Sequence, residues 1–367
     1  MQYKPDLDSI IPRMEAWWQG EILDRACIAV CAPNGKTKRE VPRPTTIVER
    51  WTDPDYVFES QEASLETTYY AGEAIPVFRP GLGPDTFAAC LGAPIEFRED
   101  TSWSRHVITD WAAPPSFQID EESLAWKWYH DMYRMAASRA AGRYFVAPPD
   151  CHSGGDCLLA MRGGIPLCMD LYDFPEAIHA AMGQLEAAVV RFHDTFFSLV
   201  ETTGQRGHTS YWLRVWSPGR SQMMQLDLLA LIAPKHFEEF FYHELEVNAE
   251  VLDSAIFHLD GPDAIKHLPI LYRLLEQTRA KADGRKKFGV VSLQWQPGAG
   301  NFPMSNWIPL LQEMQRNGAN IYVDCDPSEV EQMLTELSSK GLFLSTGAAN
   351  KQEADHLVKL AGKLTHE

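Results

Sequence analysis

The pair His258-Leu-Asp260 is the feature of this sequence best suited to chemistry. It lies at the end of a short apolar segment, 256–259, of the kind that forms a buried strand. Side chains alternate between the two faces of a strand, so residues two apart share a face. Two ionisable groups on one buried face are costly unless they are paired, hydrated or bound to a metal. We therefore predict that His258 and Asp260 are catalytic, as metal ligands or acid–base groups, with a buried structural pair as the alternative.

Polar side chains also follow the other predicted strands, and they complete the candidate site. Asp150 and Asp227 are further candidates for catalysis, because a carboxylate can accept a proton or stabilise positive charge. We expect Asp150, Arg220, His258 and Gln294 to converge on one cavity. The candidates for substrate binding would hold an anion or form the walls of the site: His152, Arg162, Tyr211, Trp212, Trp216, Arg220, Gln294 and Trp295.

Several of these residues also have a purely structural interpretation. Carboxylates at the start of a helix often cap it, and arginines often pair with structural carboxylates. The alternatives left open by the sequence are helix caps at Asp156, Asp227 and Asp326, structural ion pairs at Arg162 and Arg220, and rim packing at Gln294 and Trp295.

The pattern that must position these residues is an alternation of short apolar strands with helices of ten or more residues. At least five such units run from residue 143 to the end, which predicts a parallel sheet. Strands are predicted at 26–32, 143–147, 210–215, 256–259, 288–294, 320–323 and 342–345, and a helix at 53–70. We interpret the chain as a single (β/α)8 TIM barrel over 1–367, with a helical extension at 1–25 and a decorating insertion at 74–122. Active sites of such barrels lie at the carboxyl ends of the strands.

Composition argues against several classes of protein. The formal charge of −17 disfavours a nucleic-acid partner, since such a groove needs a basic surface. No apolar run reaches the roughly 18 residues of a membrane span. The seven cysteines lack a disulfide-like spacing, and the N-terminus lacks the apolar core of a secretory signal, so we expect a cytoplasmic protein. Glycine-rich dinucleotide and P-loop motifs are absent.

Several segments resemble the uroporphyrinogen decarboxylase-like superfamily. They are His258-Leu-Asp-Gly-Pro, Gln294-Trp-Gln-Pro-Gly-Ala-Gly, the stretch GGDCLLAMRGG with MDLYDFPE after Asp150, and the opening segment Trp17 to Arg25. The resemblance is diffuse but spans nearly the whole chain. It implies a (β/α)8 barrel in a group that contains porphyrinogen decarboxylases and zinc-dependent corrinoid methyltransferases.

The sequence departs from both branches of that superfamily. The arginine-rich RQAGRY-type motif of the decarboxylases is missing, and only Asp24-Arg25 stands in the comparable region. The methyltransferases carry His-x-Cys on one strand and a later cysteine near the end. Here the pair is His258-x-Asp260, and the late segment has no thiol. Cys325 could supply one sulfur, so His258, Asp260 and Cys325 are the predicted ligands of a weakly bound zinc ion.

The leading functional hypothesis is methyl transfer or demethylation of a small organic molecule, with a corrinoid protein as a candidate partner. The alternatives are a metal-independent decarboxylase or other lyase, a glycoside-type hydrolase with paired aspartates, and a non-catalytic small-molecule binding barrel. A homodimer is the candidate assembly. A stoichiometric zinc held by Cys151 and Cys157 would contradict this choice of ligands.

Overall fold

The computed structural model describes residues 1–284 and 287–366. Its strands are β1 (Cys27–Pro33), β2 (Thr68–Gly72), β3 (Val77–Phe78), β4 (Ile95–Phe97), β5 (Ser102–Ser104), β6 (Phe145–Val146), β7 (His208–Thr209), β8 (Trp216–Ser217), β9 (Ser221–Gln225), β10 (Ser254–Asp260), β11 (Gly289–Gln296), β12 (Asn320–Asp324) and β13 (Leu342–Gly347). Its α-helices are α1 (Leu7–Trp18), α2 (Ile47–Thr52), α3 (Pro54–Glu66), α4 (Thr86–Cys90), α5 (Leu124–Arg139), α6 (Gly154–Arg162), α7 (Gly164–Asp173), α8 (Pro175–Glu201), α9 (Pro234–His236), α10 (Tyr242–Val251), α11 (Leu268–Ala280), α12 (Ile308–Arg316), α13 (Val330–Glu336) and α14 (Lys351–Leu364).

The largest sheet has seven strands in the order β2-β1-β13-β12-β11-β10-β9. All neighbours are parallel except β2, which runs antiparallel to β1. The first strand pairs with the last, so the two ends of the chain meet in the sheet. A separate parallel pair is formed by β3 and β6. Among the described residues the backbone ladders do not join this pair to the large sheet, so the fold is mostly parallel and barrel-like, without a closed ladder of eight strands.

One apolar core lies on the inner side of both sets of strands. It is capped by Trp17 and Trp18 of α1, whose indole nitrogens donate to the carbonyls of Gly341 and Trp216. Gly341 directly precedes β13, so α1 covers the amino ends of the strands. The residues that the strands contribute to this interior core include Cys27, Val77, Phe145, Met223, Ile256, Val291, Tyr322 and Phe343.

A second and larger core lies between the strands and the surrounding helices. On β10, Ile256 belongs to the interior core, whereas Phe257 and Leu259 belong to this outer core. Strand alternation decides which side chains face the interior and which face the helices, and the same rule applies to the candidate site residues.

The strand predicted at 210–215 is wrong, because that segment is a turn between β7 and β8. It is apolar since Leu213 and Val215 join the interior core, and Arg214 adopts a positive φ of 56° that a strand does not allow. The strand of this region is instead β9, whose sequence Ser-Gln-Met-Met-Gln is wholly buried despite its polar residues. Burial of polar side chains hid this strand from a prediction based on hydrophobicity.

Two other segments differ from the sequence-based expectation. The helix predicted at 53–70 ends at Glu66, because Tyr69 and Tyr70 pair with β1 as part of β2. The segment 74–122 includes β3, which pairs with β6 and supplies Val77 to the interior core. The rest of that segment contains α4 and the β4–β5 hairpin. Within the described part of the chain, no helix has both the length and the apolar character required to cross a bilayer.

The role of α1 as the cover of the interior core can be tested with Trp18→Ala. Trp18 is 1% exposed, so truncation should leave a large cavity and lower the free energy of unfolding by about 3–5 kcal/mol. Urea unfolding followed by circular dichroism measures this change. Trp103→Ala is the matched control, because Trp103 is 48% exposed and its loss should have little effect. Equal effects of the two substitutions would contradict the assigned role.

Candidate functional site

The carboxyl ends of three neighbouring parallel strands bring the central residues together. His258 on β10 is aligned with Gln225 on β9 and with Gln294 on β11. Asp260 ends β10, and Asp227 begins a 3-10 turn just after β9. Since Ile256 faces the interior core, alternation directs His258 and Asp260 to that same inner side, at the rim away from α1.

Asp227, His258 and Asp260 form a group that could hold a metal ion. Each offers a ligand atom, and these atoms lie within 4.8 Å of one another. Asp227 Oδ1 is buried and has no hydrogen-bond donor among the described residues. A buried carboxylate oxygen without a partner is costly, and a cation would remove that cost. Imidazole nitrogen and carboxylate oxygen are both ligands that zinc accepts.

A second group of the same kind shares Asp227. It consists of His152, Asp156 and Asp227, again with ligand atoms within 4.8 Å of one another. The Asp156 carboxylate accepts the backbone N–H of Asp227 at 2.8 Å and that of Leu228 at 2.9 Å. Asp156 therefore caps the 3-10 turn at 227–230 and fixes the backbone of Asp227, rather than capping its own helix. His152 and Asp156 extend the set of polar groups around Asp227.

A chain of hydrogen bonds orients the His258 ring. His258 Nδ1 lies 2.7 Å from Gln294 Oε1, and Gln294 Nε2 donates to Asp324 Oδ2 at 3.0 Å. The Gln294 amide nitrogen donates to the Asp324 carboxylate, so the Gln294 amide oxygen faces the imidazole. Because an amide oxygen only accepts, His258 Nδ1 carries the proton of this hydrogen bond. Nε2 is then the ring nitrogen that is left for a ligand. Histidines that bind metals commonly donate their other N–H to such a partner, which fixes the ring and its tautomer.

Burial changes the protonation of the inner residues. Burial raises the pKa of Asp150 to about 7, although hydrogen bonds from Gln225 and from the Cys151 amide oppose the change. Burial also lowers the pKa of His152 to about 3, so its imidazole is neutral near pH 7. For Asp227, burial raises the pKa, with His258 opposing this and Asp260 adding to it. Neutral imidazole is the form that binds metals.

The cluster is rich in carboxylates and poor in cations. In the part of the chain that the structure describes, none of its aspartates forms an ion pair with a lysine or arginine. The side chains of His152 and His258 each approach at least two of them, His152 at 3.7 Å from Asp150 and 3.6 Å from Asp156. Buried carboxylates are normally paired or bound to metal. The aspartates of the cluster are Asp150, Asp156, Asp227, Asp260 and Asp324.

A cavity of about 890 Å³ opens beside the cluster and is lined by Asp150, His152, Tyr211 and Trp212. The Trp212 ring lies 5.3 Å from the His258 ring and nearly perpendicular to it, at 88°. The turn at 210–215 thus brings Tyr211 and Trp212 to the cavity, even though the segment is not the strand expected. Trp216 lies elsewhere, because its buried side chain joins the interior core and its carbonyl accepts the Trp18 indole N–H at the amino end.

Residues that the sequence did not single out also belong to this region. Gln225 donates to Asp150 Oδ1 at 2.9 Å, and its own Oε1 is buried without a partner among the described residues. Arg79 and Arg214 line the cavity. The sequence feature that could have identified Gln225 as a site residue is its position two residues before Asp227. Neither arginine followed a recognisable strand, since β3 has two residues and Arg214 lies in a turn.

The two arginines predicted to hold an anion lie outside the cluster. Arg220 precedes β9, at the amino end of the strand, and its guanidinium pairs with Asp194 at 2.6 Å. Arg162 pairs with Asp170 through two hydrogen bonds, of 2.6 and 3.1 Å. Both arginines therefore form structural ion pairs, which was the alternative that the sequence left open. The expected convergence is therefore wrong for Arg220, whereas Asp150, His258 and Gln294 belong to the network around the strand ends.

Strand alternation also turns two other candidates away from the cluster. Gln294 faces inward, so Trp295 faces the outer core, where its ring lies 4.9 Å from that of Trp307. Asp324 contacts Gln294, so the next residue, Cys325, packs against the outer core. Cys325 belongs to neither group of candidate metal ligands among the described residues. The third partner of His258 and Asp260 is Asp227, and the prediction of Cys325 as a ligand is wrong.

A buried glutamate holds the loop that carries Asp150 and His152. Glu244 is 1% exposed; its carboxylate accepts the Gly155 N–H at 3.1 Å and the Ser153 hydroxyl at 3.4 Å. Gly154 has a φ of +45°, and a Cβ there would lie 1.5 Å from Glu244 Oε2. The glycine is therefore required for the loop to approach α10.

Similarity to known proteins lies in the fold rather than in the sequence. No protein-family model matches the chain, and no curated protein matches its sequence. A solved structure of a methyltransferase from Methanosarcina mazei is similar with a TM-score of 0.60 and 13% sequence identity, over 96% of this chain and 97% of that one. At this identity the similarity establishes a shared fold over essentially the full length of both chains.

The requirement for glycine in the site loop is tested by Gly154→Ala. The new methyl group would clash with Glu244 and the positive φ would be strained, so we expect a clear fall in the free energy of unfolding. Gly183→Ala is the control, because Gly183 lies inside α8 and a Cβ added there would meet no atom within 4 Å. There alanine should stabilise the protein by about 0.5–1 kcal/mol. A neutral Gly154→Ala would contradict the assigned packing.

Proposed function

We propose that this protein is a metal-dependent methyltransferase that removes a methyl group from, or adds one to, a small organic molecule. The observation that carries the proposal is the group Asp227, His258 and Asp260, with a buried and unpaired oxygen on Asp227. The shared fold with a methyltransferase supports the reaction class. The diffuse sequence resemblance to the uroporphyrinogen decarboxylase-like superfamily points the same way, and we propose the chain as a divergent member of it.

Zinc fits the side chains of this group. The set contains one imidazole and two carboxylates, which are ligand types that zinc accepts, and three protein ligands would leave a further position open. His258 has its second nitrogen occupied by Gln294, as expected of a metal ligand. When bound there, the metal would supply Lewis-acid polarisation of the atom that gains or loses the methyl group.

The other residues have roles that follow from their contacts. Asp324 and Gln294 hold the His258 ring and its tautomer. Asp156 fixes the backbone that carries Asp227. Trp212 packs beside His258 and would exclude water from one side of the reacting group. Asp150, with its pKa raised to about 7, could hold or release a proton near neutral pH.

A metal-independent decarboxylase is the second candidate function, and Asp150 is the observation that favours it. A carboxyl group with a pKa near 7 in a cavity that also contains Arg79 could protonate a carbon after loss of carbon dioxide. The two functions differ in their response to chelators. Methyl transfer should stop when the metal is removed, whereas carbon dioxide release would continue.

We propose a corrinoid as the methyl carrier. The sequence resemblance implies a corrinoid bound to a partner protein. Free cob(I)alamin would serve as the probe in place of such a partner. Its conversion to methylcobalamin would be followed by visible absorbance. A panel of small methylated acids, ethers and amines, with the zinc-loaded protein, would test the reaction class.

The metal site itself is tested by zinc titration of the metal-free protein in competition with a chromophoric chelator. We expect His258→Ala and Asp227→Asn each to lower zinc affinity at least about tenfold, since each removes a ligand. Cys325→Ser and His356→Ala should leave the affinity unchanged, because Cys325 faces the outer core and His356 is exposed on α14. Loss of affinity in Cys325→Ser would restore the sulfur-containing set and contradict this assignment.

Asp260→Asn tests whether the cluster is catalytic or structural. The substitution keeps the shape and removes the charge, so turnover should fall by about 10²-fold or more. Melting temperature should change little, because the Asp260 side chain has no hydrogen-bonded or ion-paired partner among the described residues. Turnover at the original rate together with a large loss of melting temperature would make Asp260 a structural residue.

A further inference from the structure

Two arginines of the cavity lack the partners that arginines in this protein usually have. Arg79 and Arg214 both line the cavity beside Asp150 and His152. Among the described residues neither guanidinium forms an ion pair with a carboxylate, whereas Arg139, for example, pairs with Glu59 and Glu62. Arg214 Nε is buried and has no hydrogen-bond partner in the described chain. A buried guanidinium nitrogen without an acceptor is costly, and an oxygen atom of a ligand would remove that cost.

The backbone holds each arginine in place independently of any ion pair. Arg79 follows β3, and Gln61 of α3 clamps it: Gln61 Oε1 accepts the Arg79 N–H at 3.0 Å, and Gln61 Nε2 donates to the Arg79 carbonyl at 2.9 Å. These two hydrogen bonds hold the backbone of Arg79 on both sides of its Cα, which fixes the direction in which the side chain leaves the strand end.

Arg214 is held at a local conformational cost. It is the one residue other than glycine with a positive φ in the described chain, at 56°. Its N–H donates to the Ser210 carbonyl at 3.0 Å, and the Tyr322 hydroxyl donates to the neighbouring Leu213 carbonyl at 3.0 Å. Strained backbone conformations of this kind concentrate at sites of function. Here the strain directs a guanidinium to the cavity.

The positive charges of Arg79 and Arg214 act on each other within the same cavity. Burial lowers the pKa of Arg79, and the positive charge of Arg214 lowers it further. Two cations that repel each other in one cavity favour the binding of an anion between them. The planar donors of guanidinium match the oxygen atoms of a carboxylate or a phosphate.

The other side chains that line the cavity indicate what kind of ligand body would fit it. Tyr70, Tyr211 and Trp212 line the same cavity and present aromatic surface. Trp212 also contacts the His258 ring. A molecule whose anionic group lies at the arginines and whose apolar body packs along Trp212 would therefore reach the metal-binding group with its other end.

We propose that Arg79 and Arg214 form an oxyanion site that binds the carboxylate or phosphate of a small organic substrate, with its body on Tyr211 and Trp212. The identity of the reacting end rests on the proposed function. The oxyanion site itself does not, because it needs neither zinc nor turnover.

The test is calorimetric binding of three probes to chelator-treated, metal-free protein: benzoate, phenyl phosphate and the neutral analogue benzamide. We expect at least one of the two anions to bind at least about tenfold more tightly than benzamide, and their ratio distinguishes carboxylate from phosphate. Arg79→Gln and Arg214→Gln should each weaken binding of the preferred anion about tenfold or more. Arg134→Gln is the matched control, since Arg134 is exposed and paired with Asp131, and it should bind as the wild type does.

Melting temperatures separate a binding role from a structural one. Neither guanidinium forms an ion pair within the described chain, and their mutual repulsion opposes the attraction between Arg79 and Asp150. The Gln variants should therefore melt near the wild-type temperature without ligand. Arg214→Lys keeps the charge but not the planar donors, so it should recover part of the anion affinity at most.

Several results would overturn the oxyanion site. The first two are that the wild type binds benzamide as tightly as the anions, or that it binds neither anion. The other two are that both Gln variants bind the anion with wild-type affinity, or that both show a marked fall in melting temperature. Anion binding that depends on both arginines in a protein that fails to bind zinc would retain this site and refute the proposed metal chemistry. Zinc binding without anion binding would do the reverse.

Discussion

The structure places carboxylates and imidazoles together at the carboxyl ends of parallel strands, and within the described chain no lysine or arginine forms an ion pair with these carboxylates. That arrangement is costly in a buried setting, and most of the local structure serves to maintain it. Backbone amides of the 3-10 turn satisfy Asp156, and Gln225 donates to Asp150. Gln294 stands between His258 and Asp324. Among the described residues these contacts leave Asp227 Oδ1 and Gln225 Oε1 buried without a partner, and Asp227 belongs to both groups of candidate ligands.

The two ends of the strands have opposite chemistry. At the amino ends, α1 closes an apolar interior with Trp17 and Trp18. At the carboxyl ends, the glycine-dependent loop held by Glu244 and the turn at 210–215 bring polar groups to the cavity. The cavity is lined by Asp150 and His152 of the acidic cluster and by Arg79 and Arg214, which form no ion pair in the described chain. A cation held by the cluster and an oxyanion held by the arginines would suit a small, charged organic substrate.

Much of the fold could be predicted from the sequence, since regular βα alternation in the second half of the chain predicts β10 to β13 and their helices. The pair His258 and Asp260 followed from the same alternation. β9 could not be predicted in this way, because its buried residues are largely polar. The error at 210–215 then displaced the expected strand end, and Arg220 was assigned to the wrong end of the strand. Arg79 and Arg214 depend on a two-residue strand and a strained turn, which carry no periodic signal. Cys325 and Trp295 were misplaced because proximity along the chain was given more weight than alternation.

The central claim is that a divalent ion binds here through nitrogen and oxygen atoms alone, and X-ray absorption spectroscopy of the zinc-loaded protein tests it most directly. With Asp227, His258 and Asp260 as ligands, the first coordination shell should fit nitrogen and oxygen scatterers at about 2.0–2.2 Å, with an imidazole contribution from His258. Removal of the imidazole signal in His258→Ala would assign it. A sulfur shell at about 2.3 Å would place zinc on a cysteine and contradict the account of this site.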